Sequence, residues 1–152
     1  MNEPITPPPI SPDVLPAIPS DLADSVAEQM VPVGEGEREK RYRVLAIADL
    51  VRFSARQPKG TEAPYWAIVW EAAMALGGWL LDHRDWIEGK RMLELGCGLG
   101  LSGLVAADIG ADVVQTDKIP LALRLARENA LRNGLLAPPQ FCADWFEWSH
   151  DE

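Results

Sequence analysis

No stretch of the sequence is long and apolar enough to cross a bilayer. The longest apolar run, Trp66 to Leu81, has 16 residues, contains Glu71, and falls short of the ~20 a spanning helix needs. Cysteine and histidine are scarce, with two of each. Cys97 and Cys142 do not make a disulfide framework. His83 and His150 have no Cys or His neighbour at metal-ligand spacing, so no metal site is expected. Positive charge is also short: 14 Lys and Arg stand against 23 Asp and Glu, a net charge of −9 at pH 7. A chain this acidic repels phosphate backbones, which speaks against nucleic acid and against an anionic membrane as partners. Met1 to Pro9 is proline-rich and lacks both the basic start and the apolar run of a secretory leader. Together these absences predict a soluble, cytoplasmic protein.

Charge and proline are unevenly spread. Residues 1–40 hold eight acidic side chains against two basic ones, a net −6 that leaves −3 for the rest of the chain. Eight of the 13 prolines fall here too, and proline removes a backbone donor and fixes φ. With few large apolar residues to bury, the segment cannot offset its ordering entropy. Residues 1–40 are therefore expected to be a disordered, acidic, Pro-rich tail, solvated or serving as a docking peptide. Within it, Ser20 is a candidate cap for a short helix over Ser20 to Met30, with Leu22, Val26 and Met30 on one face. Residues 41–152 are then the folded part.

Along that part, Tyr42 to Arg56 is compatible with a strand pair or a helix, and Pro58, Gly60 and Pro64 mark a loop. Trp66 to Asp82 is apolar on nearly every face, which predicts a buried helix. Arg91 to Leu95 reads as a strand, Gly96 to Gly100 as a glycine loop, and Leu101 to Ile109 as a helix stopped by Gly110. Asp112 to Thr116 is a second strand. Pro120 opens a helix over Leu121 to Asn133, ended by Gly134, and Gln140 to Ala143 is a third strand running into Asp144. Strand, helix, strand, helix, strand with short connections is the pattern of an α/β, doubly wound parallel sheet.

Candidate chemistry concentrates after the first of these strands, at Glu94-Leu-Gly96-Cys97-Gly98-Leu-Gly100-Leu-Ser-Gly103. Glycines let the backbone approach a ligand, and the helix that follows offers unpaired N–H groups. Asp117 ends the second strand, 21 residues after Gly96, where a carboxylate can accept from both hydroxyls of a ribose. A nucleoside-containing cofactor follows, but the glycines do not choose it. Gly98, Gly100 and Gly103 fit G-x-G-x-x-G, the dinucleotide arrangement. Gly96, Gly98 and Gly100 fit E-x-G-x-G-x-G, with Glu94 at the end of the strand. A purely structural glycine turn is the third reading.

The flanks choose. Dinucleotide domains usually start with the glycine-loop strand, whereas here a long helix and a Trp-rich segment come first. Four blocks stand in order: PYWAIVWEAAMAL from Pro64, MLELGCGLGLSG from Met92, QTDKIPLALRLARENALRNG from Gln115, and CADW from Cys142. In these the sequence resembles the class I (seven-strand) S-adenosylmethionine-dependent methyltransferases, most of all the group of protein-lysine and nicotinamide N-methyltransferase-like proteins. The resemblance implies a Rossmann-like fold and S-adenosylmethionine as cofactor. It implies that the loop of Gly96, Cys97, Gly98 and Gly100 runs under the methionine part, with Glu94 near the amino group. Asp117 would hold the ribose hydroxyls, Lys118 would lie beside the adenine by its backbone, Asp144 would face the adenine amino group, and Trp145 would flank the ring. Tyr65, Trp66 and Trp70 would close the pocket entrance near the methyl acceptor, an amine of a protein lysine or of a small molecule. No catalytic residue is assigned. Glu71 departs from the pattern, since bacterial relatives often have proline there.

Those roles suit the chemistry. The sulfonium loses its charge as the methyl leaves, so an in-line displacement needs alignment more than a protein nucleophile. Aromatic faces can hold an ammonium by cation–π attraction. Plainer roles stand beside them: Trp66, Trp70 and Trp79 as core, Trp145 and Trp148 as strand-edge packing, Cys97 as a small residue tolerated in the loop, and Cys142 as a buried strand residue. Arg124 and Glu128, four apart, read as a solvated pair. Only three sheet strands are read, against seven in the family. The chain is therefore expected to be the N-terminal part of a methyltransferase domain, truncated after the third strand, with an uncovered sheet edge and activity only when completed by the missing half. An NAD-dependent oxidoreductase and a non-catalytic interaction module are the alternatives.

Overall fold

Glycine and proline punctuate the second half of the chain, and its elements fall where those residues put them. The computed structural model describes residues 9–11, 13, 15–56, 59 and 64–145. Pro58, Gly60, Trp148 and His150 lie outside the described residues. In chain order the elements are α1 (Ser20–Ala23), β1 (Val26–Val33), β2 (Lys40–Ile47), α2 (Leu50–Arg56), α3 (Glu71–Asp82) and α4 (Arg84–Ile87). Then come β3 (Arg91–Glu94), α5 (Leu101–Asp108), β4 (Asp112–Asp117), α6 (Pro120–Arg132) and β5 (Gln140–Cys142). Pro120 occupies the first turn of α6, where its missing N–H costs nothing. Strands β3, β4 and β5 form a parallel sheet in that order, with α5 and α6 as its crossovers. Strand β3 is an edge, and Arg91, Leu93 and Leu95 are exposed along it.

The first half departs from the composition-based reading. The expected helix over Ser20 to Met30 ends at Ala23, and Val26–Val33 is instead a strand paired antiparallel with β2. Pro32 does not break it, because β1 pairs with β2 alone and has no strand on its other edge, where the missing N–H is harmless. The expected disordered tail up to residue 40 is thus replaced over 26–40 by a hairpin arm. Burial explains the change: few as they are, the apolar side chains there are used, with Val31 and Val33 fully inside. Further back, Leu15 is 6% exposed and packs with Cys97, Leu123 and Ala126, while the Ile10 N–H donates to the Gln140 carbonyl at 2.7 Å. The ambiguous Tyr42 to Arg56 is neither a strand pair nor one helix but β2 followed by α2. The long helix is shorter than expected. Tyr65–Ala67 is a 3-10 turn, Trp70 is extended at φ −90°, ψ 139°, and α3 begins at Glu71.

The hairpin packs against α3 and α6, and α3 lies on α5. Val31, Val33, Tyr42, Val44, Leu80, Leu104, Val105 and Leu125 share the resulting core. Asn129 of α6 and Asn133, which caps the helix's C-terminal end, close the outer edge of β2 as another strand would. Asn133 accepts the Arg43 N–H (3.0 Å) and donates to the Arg43 carbonyl (2.8 Å). One turn earlier, Asn129 accepts the Leu45 N–H (2.7 Å) and donates to the Leu99 carbonyl (3.0 Å), reaching the Leu45 carbonyl at 3.5 Å. Asn129 has no exposed surface. Asn129→Ala therefore leaves buried groups unpaired in both the hairpin and the glycine loop, and should lower stability by about 3 kcal/mol in a denaturant titration. Among the described residues, no helix is long and apolar enough to cross a membrane.

Candidate functional site

Parallel pairing places Glu94 opposite Gln115, and Gln115 opposite Gln140. The strands thus deliver their C-terminal residues to one end of the sheet, where the glycine loop leaves β3. Asp117, the last residue of β4, is buried and ties that loop down. Its Oδ2 accepts the Gly98 N–H (2.8 Å) and its Oδ1 accepts the Ile119 N–H (2.9 Å), while the Cys97 N–H donates to the Thr116 carbonyl (2.8 Å). Thr116 Oγ1 in turn donates to the Glu94 carbonyl (3.1 Å).

Two adjoining cavities open on this end, sharing Tyr65, Trp66, Gly96 and Asp117 in their walls. The first, about 270 Å³, adds Lys118, Asp144 and Trp145. The second, about 600 Å³, adds Trp70, Glu94, Cys97 and Gly98. Eleven of the twelve residues singled out from sequence therefore line one or both. Gly100 lines neither and is packed beneath, against Ala126 and Gln115. The Trp66 carbonyl stands over Gly98, where a side chain would meet it at 3.0 Å, so the aromatic turn and the glycine loop touch directly. At the mouth, Trp70 Nε1 donates to the Tyr65 carbonyl (2.9 Å), and the two half-exposed rings lie 6.0 Å apart. Trp66 is partly buried and also packs on Phe53 and Ile47, so it is wall and core at once.

Burial pushes the Glu94 carboxyl up to about 7, against the pull of hydrogen bonds from Gln115 and Gly103, and the charge of Asp117 pushes the same way. A cation beside Glu94 would reverse that shift. Burial likewise pushes the Cys97 thiol far up, with Glu94 and Asp117 adding to it, so it is no nucleophile. Cys142 is exposed, not buried as expected, because β5 ends there with its side chain outward. Trp79 is also not core: it is 46% exposed and stacks on His83, ring centroids 4.2 Å apart. The Arg124–Glu128 pair forms at 3.2 Å. Among the described residues, no group of three His, Cys, Asp or Glu could hold a metal ion.

Gln115 and Gln140, which back Glu94, do not stand out in the sequence. The available signal is an amide beside apolar strand neighbours, Gln115 after Val113 and Val114 and Gln140 before Phe141.

A family profile described as lysine methyltransferase matches residues 58–152, well over half of the chain. The chain belongs to that family. Histone-arginine methyltransferase METTL23 of Xenopus laevis is 31% identical over 119 residues, covering 77% of this chain and 46% of that protein. The electron transfer flavoprotein beta subunit lysine methyltransferase of Rattus norvegicus is 40% identical over 47% of this chain and 29% of its own length. Protein N-lysine methyltransferase METTL21A of Danio rerio is 45% identical over 44% of this chain and 30% of its own. The chain thus spans less than half the length of each of these relatives. The family match takes in the aromatic turn, the glycine loop and the end of β4, the segments that line both cavities.

Proposed function

We propose that this chain binds S-adenosylmethionine and belongs to an enzyme that methylates a side-chain nitrogen of a protein, lysine foremost. The observation that carries the reading is the shared wall of the two cavities. There Gly96, which apart from its chain neighbours has no atom within 4 Å of where a side chain would stand, shares both cavities with Asp117, and Glu94 lines the second. That open floor admits a ligand passing from one cavity to the other, and a ligand with a ribose near one end and an ammonium group at the other fits it. The named relatives support the acceptor class, since each is described as acting on a protein lysine or a histone arginine.

When bound, S-adenosylmethionine supplies an electrophilic methyl group, which passes to the nitrogen lone pair as the carbon–sulfur bond breaks and the sulfonium becomes a neutral thioether. The chain's own groups bind and orient. Ionised Glu94 would hold the ammonium group, and Asp117 has further lone pairs for hydroxyls beyond its two backbone donors. Lys118, Asp144 and Trp145 would border the base. Tyr65, Trp66 and Trp70 would exclude water and, with their faces, receive a cationic acceptor. A lysine acceptor must first lose its proton from an ordinary pKa of ~10.4, and a dry aromatic mouth favours the neutral amine.

Calorimetric titration tests the reading. S-adenosylmethionine and S-adenosylhomocysteine should both bind and raise the melting temperature, while NAD and NADH should do neither. Binding of a nicotinamide dinucleotide alone would overturn it. Labelled methyl groups should then appear on lysine nitrogen in a protein mixture, assigned by mass spectrometry.

A further inference from the structure

Two buried amides stand behind Glu94, and nothing in the reading above uses them. Gln115 is 1% exposed and Gln140 4%, in strands where an amide is stable only when its groups are bonded. In the sheet register Glu94, Gln115 and Gln140 form one row across β3, β4 and β5. The direction of the hydrogen bonds along that row is set from its far end. The Leu123 carbonyl can only accept, so it accepts a hydrogen bond from Gln140 Nε2 at 3.0 Å. The same nitrogen lies 3.3 Å from Gln115 Oε1, which accepts its second hydrogen bond. The Gln115 amide nitrogen is thereby turned toward two acceptors, Glu94 Oε2 at 2.9 Å and the Gly100 carbonyl at 3.4 Å.

We infer that Gln115 is a positioning residue of the site: it pins one carboxylate oxygen of Glu94 from behind and so aims the group at the ammonium end of the cofactor, while Gln140 locks the Gln115 amide in its donating orientation. This rests on the role proposed for Glu94 above. The groups bearing on that carboxyl come from each neighbouring element. Asp117 on β4 is the charged one and opposes ionisation, the Cys97 thiol in the loop is buried and neutral, and Gly103 of α5 donates a backbone hydrogen bond. Gln115 and Gly103 are thus the two donors that favour the carboxylate. Glu94 Oε2 and Gln115 Nε2 also fill the space where a side chain on Gly103 would stand, so glycine there is needed for the row to close.

The test uses Gln115→Met, which keeps length and removes the donor, and Gln140→Met, which removes only the lock. In the full chain, the Glu94 carboxyl is titrated by carbon NMR, and S-adenosylhomocysteine affinity is measured across the same pH range. Gln115→Met should raise the Glu94 midpoint by about one pH unit, with Gln140→Met moving it the same way by less. Affinity should then fall about tenfold below the midpoint and less than about twofold well above it. Glu94 midpoints unmoved in both variants, or an affinity loss equal at every pH, would mean that the amides only fill space, and overturn the inference. If Gln115→Met does not fold, Gln140→Met decides by the same criterion. A parent chain whose Glu94 titrates as described, yet binds no S-adenosylhomocysteine at any pH, would overturn the proposed function itself.

Discussion

Gly100→Ala should lower the stability of the free chain by about 3 kcal/mol, roughly 10 °C in melting temperature, whether or not a ligand is present. Two causes add. Gly100 has φ of +74°, the left-handed region, where a β-carbon alone is unfavourable by about 1–2 kcal/mol. That carbon would also stand 2.7 Å from both Ala126 Cβ and Gln115 Nε2, in a packed layer between α6 and β4 that cannot open without moving the helix. Gly134→Ala separates the two causes: φ there is also +74°, but nothing lies within 4 Å, so only the backbone part should appear. Gly96→Ala should behave in the opposite way. Its φ is +64° and its surroundings are open, so stability should fall by only about 1 kcal/mol. Its methyl group would project into the floor shared by both cavities, and S-adenosylhomocysteine affinity should fall at least about a hundredfold, a loss of about 3 kcal/mol. Differential scanning fluorimetry and calorimetric titration read the two effects independently. Equal melting temperatures for Gly96→Ala and Gly100→Ala would contradict the assignment of Gly100 to packing.

Glu94→Gln should stabilise the free chain at pH 8 and at the same time remove most of its affinity for the cofactor. In the folded chain the carboxyl is raised from its ordinary 4.5 to about 7. The folded state therefore favours the protonated acid. Its contribution to stability is full below pH 4.5 and is lost as pH climbs through 7, leaving an ionised, desolvated carboxylate at pH 8. Glutamine keeps an acceptor for the Gln115 amide and carries no charge, so the melting temperature should rise at pH 8 and hardly change at pH 5. Binding should run the other way. A ligand ammonium group favours the carboxylate, so parent affinity should weaken as pH falls below 7 while the variant stays weak and flat. A variant with parental affinity at pH 8 would remove Glu94 from the site.

Why some of this is visible in sequence and some is not follows from how local each cause is. The loop, β4 and α6 are announced by neighbours in the chain: Gly96 to Gly100 after an apolar strand, Pro120 at a helix start, Gly110 and Gly134 at helix ends. Asp117 is visible for the same reason, as a carboxylate closing a strand at fixed distance from the loop. The hairpin is hidden because its cause is distant. Composition over residues 26–40 is acidic and interrupted by Pro32, and only contact with α3 and α6 turns Val31 and Val33 into core. The α3 start is hidden by aromatic residues that look the same whether they pack in a helix or fold into the turn before it. Gln115 and Gln140 are hidden most deeply, since their meaning depends on register between strands separated by whole helices.

Asn129 grips the glycine loop at the Leu99 carbonyl and the hairpin at the Leu45 N–H with a single side chain. The hydrogen on the Leu45 nitrogen can exchange with deuterium only when that side chain lets go. Its exchange rate is thus a gauge of loop order read from a strand outside the loop. Anything that tightens the loop, a bound nucleoside included, slows exchange at a residue that no ligand touches.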